Sequence, residues 1–336
     1  MTVACPQATL QLLINLMEEL VAIADQARVG IAPPQAFPKG PAEPNLIIRF
    51  AQRAEVLGYD SLWVQDRMLG HATWLEPLNM LSFMAAATNT IRLGVATLPL
   101  PWHNPVRLAK ALVTLDQLSG GRLTVGLSLG GTYLNDTIVG AVPERRLPAF
   151  NESLRLMRLL WTEEDFDFNG EFWTLRNATM DPKPAQSAGK GHMPIILGGG
   201  HPDAIRRSVR VADGWVGAAS STVESFKEQV TLVNQTLDEY GRDPSTFTIA
   251  KKQFLALDDN VERATKRMRD WAGHSIMNAD LGERVSLRGP SSVIVEGLQQ
   301  IVDAGANMLI LNPVDELLDQ IEHLALIMGM RQEFEI

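Results

Sequence analysis

Hydrophobic and polar positions along the chain follow two alternating patterns. Short runs rich in β-branched residues and bounded by Gly or Pro are typical of buried strands. Each is followed by a longer segment with apolar residues at every third or fourth position. Eight repeats of this alternation predict parallel strands joined by helices, and they favour a closed (β/α)8 TIM barrel over an open sheet. The predicted strands cover residues 28–32, 61–65, 91–97, 122–128, 194–197, 214–217, 246–257 and 307–311.

The segments between these strands have the end signals of helices. Pro at the first position and Gly after the last one recur, as at Pro105 and Gly241. The predicted helices cover residues 45–57, 75–88, 105–118, 202–211, 222–240 and 291–304, and a last helix closes the chain.

One long connection interrupts the alternation after the fourth strand. This insertion region covers residues 129–194. Within it we expect a helix at 149–161 and a small hairpin at 165–175, because Asn-Gly between apolar runs is typical of a tight turn. Asn169-Gly170 is predicted to be that turn.

Two other segments have weaker patterns. Residues 258–289 are predicted to be irregular, and residues 1–25 are predicted to form an extra N-terminal helical extension without chemistry of its own. Composition does not change abruptly anywhere along the chain. We therefore expect residues 1–336 to form a single domain.

Composition narrows the class of protein. Hydrophobic residues make up 46% of the chain and charged residues 21%, a balance that allows a large buried core. The net charge of −9 argues against nucleic acid or an anionic membrane as a partner. The N-terminus lacks the basic region of a signal peptide, and one cysteine, Cys5, cannot form an internal disulfide. We therefore expect a cytoplasmic protein with a small-molecule substrate, and Cys5 is a poor candidate for a nucleophile.

A glycine run follows the fifth predicted strand and leads into a helix. Gly198, Gly199 and Gly200 precede His201 in this segment. Glycines allow backbone N–H groups to approach an anion, and a helix N-terminus adds positive potential. This indicates a phosphate-binding loop, although a tight strand-to-helix turn with Asp203 in the first helical turn is the alternative. The run fits neither the P-loop nor the G-x-G-x-x-G pattern.

The loop after the second strand gathers four residue types that carry chemistry. His71 is a candidate proton donor or base, and Trp74 is a candidate for stacking on a planar ring. Asp66 and Arg67 lie on the same loop. In the alternative interpretation Asp66 and Arg67 satisfy the backbone or each other, and His71 is a solvated loop residue.

Small residues stand at the end of the third strand. Ala96 and Thr97 indicate a bulge and a close approach by a ligand. The Pro-rich segment that follows contains Trp102, for which capping of the core is the alternative, and His103, which we interpret as a loop histidine rather than a catalyst. The chain has no HExxH or CxxC motif and no His/Cys cluster, so we expect no metal site.

Five blocks of the sequence together resemble one family. They are AEVLGYDSLWVQDR, TNTIRLGVATLPLPWHNPVRLAKALVTLDQLSGGRLTVGLSLG, LRLMRLLWTEEDFDFNGEFWTL, PIILGGGHPDAIRRSVRVADGW and GPSSVIVEGLQQIVDAGANMLIL. Across about residues 28–311 the chain resembles the luciferase-like flavin- or deazaflavin-dependent oxidoreductases. The resemblance implies a (β/α)8 barrel with an insertion after the fourth strand, a reduced tricyclic cofactor lying across the strand ends, and a homodimer.

The resemblance also implies roles for individual residues. Gly198–Gly200, with His201 next to them, match the phosphate-binding loop of the family. Ala96-Thr97 matches the bulge that supports the central ring, often through a non-proline cis peptide, and Asp66 matches an acidic position.

The chain departs from the family at two positions. Many relatives have a His, a leading catalytic candidate in deazaflavin members, where this chain has Arg67, and a Glu where it has Asn135. Either His71 and Trp74 replace that histidine from a longer loop, or the chemistry differs.

These observations leave several functions open. The leading hypothesis is hydride transfer between the deazaflavin coenzyme F-420 and a small organic substrate. The second is monooxygenation with reduced FMN, molecular oxygen and a partner flavin reductase, and the third is a barrel that binds such a ligand without turnover. An unrelated phosphate-binding isomerase would share only the glycine loop.

For the leading hypothesis we expect the substrate to enter between the loops that carry His71, Trp74 and Asn135. His71 or Asp66 would then transfer a proton, and Arg67 would stabilise an anion or a polar ring edge.

Overall fold

The computed structural model describes residues 22–37, 40–67, 72–130, 145–189 and 192–330. Its strands are β1 (Arg28–Ile31), β2 (Ala36–Phe37), β3 (Ser61–Val64), β4 (Thr73–Trp74), β5 (Arg92–Pro99), β6 (Leu123–Ser128), β7 (Phe166–Asn169), β8 (Thr174–Ala178), β9 (Ile195–Gly198), β10 (Gly214–Gly217), β11 (Thr248–Leu257), β12 (Leu287–Gly289) and β13 (Met308–Pro313).

The helices alternate with these strands. They are α1 (Ile23–Gln26), α2 (Pro44–Val56), α3 (Pro77–Ala85), α4 (Pro105–Leu118), α5 (Arg146–Thr162), α6 (Pro202–Val211), α7 (Val223–Glu239), α8 (Val261–Ser275), α9 (Ala279–Val285), α10 (Ser291–Asp303) and α11 (Leu317–Ile327). Short 3-10 turns cover Leu100–Trp102, Ala185–Gly189 and Pro244–Thr246.

Within the described ranges, eight parallel strands close into a barrel. Their order is β1, β3, β5, β6, β9, β10, β11 and β13, and β13 pairs back with β1. The β10–β11 and β11–β13 pairings close the remaining gaps, all in parallel register. The predicted (β/α)8 barrel is therefore confirmed. All eight carboxyl ends of its strands lie at one rim, where barrels of this kind place their active sites.

Side chains inside the barrel form a core of their own. Trp63 lies there with Ile196, Val216, Ala250 and other residues of alternate strand positions. A Cβ atom at Gly30 or at Gly94 would come within 2.5 Å of the Trp63 indole, so both flanking strands need glycine to accommodate this ring. The large outer core between strands and helices buries the opposite strand face.

The insertion region contains the predicted helix and hairpin, as α5 and the antiparallel pair β7–β8. The predicted turn at Asn169-Gly170 is wrong, because Asn169 pairs with Thr174 and four residues connect the strands. Gly170 N–H donates to the carbonyl of Trp173 at 2.9 Å. The longer turn forms because the Glu152 carboxylate accepts backbone N–H groups from the connection, at 2.8–2.9 Å.

The prediction of an irregular segment at 258–289 is also wrong. Asn260 and Asn278 cap α8 and α9 by accepting N–H bonds with their side chains, and β12 follows. Helix α8 buries mainly Ala264, Met268 and Ala272, and charged residues occupy most of its other positions. Such a narrow apolar stripe gives a weak periodic signal in the sequence.

The predicted N-terminal extension is described only from residue 22 onward. Its described part contains the short helix α1, in which Ile23 is buried and Ala24 N–H donates to the Met328 carbonyl at 3.2 Å. The earlier residues of the predicted extension lie outside the described residues. None of the described helices is long and apolar enough to cross a membrane.

Candidate functional site

A first cavity of about 740 Å³ opens at the carboxyl ends of the barrel strands. Loops after β3, β5, β6, β9 and β10 line it, through residues that include Asp66, Thr97, Ser128, Gly199 and Ala218. The predicted phosphate-binding loop and the predicted bulge therefore contact the same space. A volume of this size is typical of small-molecule and cofactor sites.

The glycine loop has a geometry that other residues cannot adopt. Gly199 has φ +151°, and a Cβ atom there would lie 2.9 Å from the Ala204 side chain. Trp215 Nε1 donates to the Gly199 carbonyl at 2.8 Å, which holds the loop in place. Helix α6 begins at Pro202, directly after this loop, so its N-terminus lies at the cavity. Backbone N–H groups and positive helix potential suit an anion here.

Two side chains near the loop have distinct roles. His201 caps α6, because its Nδ1 accepts the Asp203 N–H at 3.2 Å, and its side chain is exposed at the cavity. Arg207 lies about two helical turns further on and also lines the cavity. Burial lowers the pKa of Arg207, and its guanidinium carbon lies 5.6 Å from the centre of the Phe150 ring. Arg207 adds positive charge close to the helix N-terminus.

The expected bulge is present on β5. The Ala96-Thr97 peptide bond is cis, and the pairing of β5 with β6 shifts between Val95 and Leu98. Thr97 Oγ1 donates to Ser128 Oγ at 2.9 Å, and both side chains line the first cavity. The predicted contact of Ala96 and Thr97 with a cofactor ring remains a prediction.

Asp66 forms a pair that the sequence did not reveal. His103 Nε2 lies 2.8 Å from Asp66 Oδ2, and these side chains are 19% and 4% exposed. Asp66 follows β3 and His103 follows β5, which are adjacent strands of the barrel. The interpretation of His103 as an ordinary loop histidine overlooked this pairing. The available signal was that both residues follow the carboxyl ends of consecutive parallel strands.

Neither Arg67 nor Trp74 lines the first cavity. The Arg67 guanidinium donates to the Ser275 carbonyl and lies 5.5 Å from the centre of the Trp74 ring. Trp74 belongs to β4 and lines a second cavity of about 810 Å³. The structure therefore brings Arg67 and Trp74 to each other, and neither residue is part of the lining that contains the glycine loop. His71 and Asn135 lie outside the described residues, so their predicted roles remain predictions.

Two neighbouring lysines on β11 were also not predicted from the sequence. Lys252 points into the barrel, where Nζ donates to Gln65 Oε1 at 2.6 Å, and burial lowers its pKa to about 8. Lys251 points outward and donates to the carbonyls of Ala218 and Ser221 at 2.8 Å each, and burial lowers its pKa to about 7. Two consecutive lysines inside an apolar strand were the signal, because buried lysines are rare without a specific role.

The carboxyl groups do not gather into a metal site in the described part of the chain. Nowhere there do three or more His, Cys, Asp or Glu side chains come together in a way that could hold a metal ion.

Comparison with known proteins identifies the family. The family model described as luciferase-like monooxygenase matches residues 21–316, which is most of the chain. The chain therefore belongs to the luciferase-like monooxygenase family and is an oxidoreductase.

Individual relatives agree with this assignment. An F420-dependent glucose-6-phosphate dehydrogenase of Kineococcus radiotolerans is 30% identical over 244 residues, which cover 69% of this chain and 70% of the relative. A protein of the same name from Amycolatopsis mediterranei is 28% identical over 307 residues, covering 80% and 88%. An F420-dependent secondary alcohol dehydrogenase in complex with an F420-acetone adduct has the same fold, with a TM-score of 0.78 at 20% identity, covering 90% of this chain and 98% of that one.

Proposed function

We propose that this chain transfers a hydride between coenzyme F-420 and a small organic substrate. One observation carries the proposal: the glycine loop at the N-terminus of α6 and the bulge at Ala96-Thr97 line the same cavity. Family membership and the names of the similar dehydrogenases support the choice of the deazaflavin. When bound, the coenzyme supplies or accepts the hydride at its central ring.

The lining residues fit both ends of such a coenzyme. Backbone N–H groups at Gly198–Gly200 and the Arg207 guanidinium would hold its phosphate, with His201 at the edge of the same loop. The ring would lie against Ala96-Thr97, with the apolar faces of Trp102 and Phe254 bordering the same space. Apolar walls exclude water, and this protects a hydride from reaction with solvent.

Hydride transfer to or from a carbon–oxygen bond also requires a proton at oxygen. In this proposal His103 takes up or releases that proton, while the Asp66 carboxylate holds the imidazole in place. Asp66 lines the first cavity, and so does Trp102, the neighbour of His103 in the chain. His71 remains a second candidate for the proton, and Arg67 and Asn135 remain predicted contributors to the site.

Titration of the purified chain with coenzyme F-420 and with FMN, each oxidised and reduced, tests the proposal. We expect the deazaflavin to bind more tightly than FMN in both states. Tighter binding of reduced FMN would favour the alternative, a monooxygenase that uses oxygen and a partner flavin reductase. If neither cofactor binds, the proposal of a redox function is wrong.

We also propose that the chain forms a homodimer and works in the cytoplasm. The first proposal rests on the family resemblance, and the second on the single cysteine, Cys5. Light scattering coupled to size-exclusion chromatography tests the dimer, because a monomeric mass at micromolar concentration would contradict it.

A further inference from the structure

A second cavity of about 810 Å³ lies beside the first one at the same rim of the barrel. The segments after β1 and β13 line it, together with Trp74 and Trp271. Gln65 and Lys252 line both cavities, so the hydrogen-bonded pair that they form stands at the junction. A molecule in the second cavity would therefore reach the coenzyme site at Lys252.

The walls of the second cavity are largely aromatic and apolar. Trp63, Trp74 and Trp271 contribute indole rings, and Phe37 and several prolines add further apolar surface. The indole N–H of Trp74 is buried and has no hydrogen-bond partner among the described residues. Such a wall favours a planar or apolar ligand that also offers a hydrogen-bond acceptor.

The charged groups around this cavity disfavour an anion. Glu43, Asp315, Glu316 and Asp319 line it, and Lys252 is the one cation among the described lining residues. Arg267, which lies outside the lining, pairs with Glu316 at 2.7 Å and approaches Asp315 at 3.7 Å.

Two of these carboxylates, Glu43 and Asp319, are exposed, and Asp319 also borders a separate groove that contains Arg49 and Arg53. A phosphate group is normally bound by several Arg or Lys donors, and here it would meet carboxylates instead. The relatives named glucose-6-phosphate dehydrogenase act, by their name, on a sugar phosphate. The charges around the second cavity of this chain do not favour such a ligand.

We propose that the second cavity binds an uncharged, largely apolar alcohol or carbonyl compound, and that Lys252 Nζ donates a hydrogen bond to the oxygen on its reacting carbon. The proposal deepens the hydride-transfer function and rests on it. On oxidation of the alcohol, the C–H bond breaks and the hydride passes to the coenzyme. The O–H proton passes to a base, for which His103 is the proposed group, and the carbonyl bond forms. Reduction runs through the same steps in reverse.

Binding without the coenzyme tests the ligand class. The intrinsic fluorescence of the purified chain is titrated with 1-phenylethanol, its ketone acetophenone, and glucose 6-phosphate. We expect the two aromatic compounds to perturb the fluorescence and to bind at least about 10-fold more tightly than the sugar phosphate. Equal or tighter binding of glucose 6-phosphate would overturn the proposal. This measurement does not involve the deazaflavin, so it separates a wrong ligand class from a wrong coenzyme.

A charge-reversal variant provides the matched comparison. Glu43→Lys combined with Asp319→Lys should raise the affinity for glucose 6-phosphate relative to that for 1-phenylethanol, because the rim charge acts mainly on the anion. Glu163→Lys with Glu164→Lys, on exposed residues that do not line the cavity, should change neither affinity. If both double variants have the same affinities for glucose 6-phosphate and 1-phenylethanol, the rim carboxylates do not select the ligand.

The role of Lys252 is tested with the deazaflavin present. Lys252→Met should lower kcat/KM for 1-phenylethanol about 100-fold, the usual effect of losing one donor to a reacting oxygen. Lys252→Arg, which keeps a donor, should recover part of that loss. Full activity of Lys252→Met would show that Lys252 does not contact the reacting oxygen. Circular dichroism confirms that each variant is folded.

Discussion

His103 Nε2 lies 2.8 Å from the carboxylate of Asp66, at the rim where β3 and β5 end side by side. Both side chains are shielded from solvent, so each limits the orientation of the other. A histidine held by a carboxylate is a common device for moving protons near neutral pH. In this chain Asp66, one member of the pair, lines the cavity that carries the glycine loop.

Replacement of His103 tests its proposed role in proton transfer. We expect His103→Gln to lower kcat/KM by about 100- to 10,000-fold, the range associated with loss of a general acid or base. The affinity for the deazaflavin should not change, because the phosphate loop and the bulge are untouched. Steady-state kinetics and coenzyme titration measure the two effects separately.

The chain offers a matched control for this variant. His192 forms a similar pair, with Nε2 2.8 Å from Asp213 Oδ1, and both residues line a cavity separate from the first and second ones. His192→Gln should retain wild-type kinetics. Comparable losses in the two variants would indicate a general effect of disrupting a His–Asp pair rather than catalysis by His103.

His71 needs its own measurement, because its place in the site is predicted from the sequence and it lies outside the described residues. If it handles the proton together with Asp66, His71→Ala should lower kcat with unchanged coenzyme affinity. Wild-type kinetics in this variant would remove His71 from the mechanism and leave His103 as the candidate.

Gly199 provides a test of the phosphate-binding loop. Gly199→Asp adds bulk where a Cβ would lie 2.9 Å from Ala204, and it adds a negative charge beside the expected phosphate. Coenzyme affinity should fall at least about 100-fold. In Gly241→Asp the new side chain enters open space at another positive-φ glycine, and affinity should remain unchanged. An unchanged dissociation constant of the coenzyme for Gly199→Asp would show that the phosphate does not bind at this loop.

Burial of Lys252 has a consequence for stability. Its pKa falls from the usual 10.5 to about 8 because the barrel interior desolvates the ammonium group. Between about pH 8 and 10.5 the unfolded chain binds more protons at Lys252 than the folded chain does. The loss of stability caused by burying the charged lysine therefore disappears as the pH rises through this range. Lys252→Met should therefore be more stable than wild type by ~1–3 kcal/mol at pH 7, since one pKa unit corresponds to ~1.4 kcal/mol.

Urea unfolding of both proteins at several pH values measures this difference. The advantage of Lys252→Met should shrink through the window from about pH 8 to 10.5. Lys251 is present in both proteins, so its own lowered pKa cancels in the comparison. A constant difference across this window would mean that Lys252 has an ordinary pKa in the folded protein.

The hairpin of the insertion region depends on one carboxylate. Glu152 accepts the backbone N–H groups of Glu171, Phe172 and Trp173, and Glu152→Ala would leave all three without this acceptor. We expect the free energy of unfolding to fall by ~1–2 kcal/mol. Glu164→Ala, at an exposed position nearby in the chain, should have no measurable effect in the same urea titration. Equal stability of both variants would contradict a structural role for Glu152.

Local rules predicted much of the fold. Helix α4 covers Pro105–Leu118 as expected, because Asn104 accepts two backbone N–H bonds at its start and proline suits its first turn. Strand β10 and helix α6 also begin and end where the pattern placed them. The alternation of strand and helix therefore determined the barrel, and the positions of Gly198–Gly200 and Ala96-Thr97 at strand ends determined where to look for a site. Each of these inferences needs only neighbours in the chain.

The tertiary structure alone decided which side chains meet. Asp66 and His103 are separated in the sequence by β4, α3 and β5, and only the parallel pairing of β3 with β5 brings them into contact. Lys251 and Lys252 look alike in the sequence, yet the twofold alternation of a strand sends one outward to Ala218 and the other inward to Gln65. The direction of that alternation depends on the register with β10 and β13, which is set by the packing of the whole barrel.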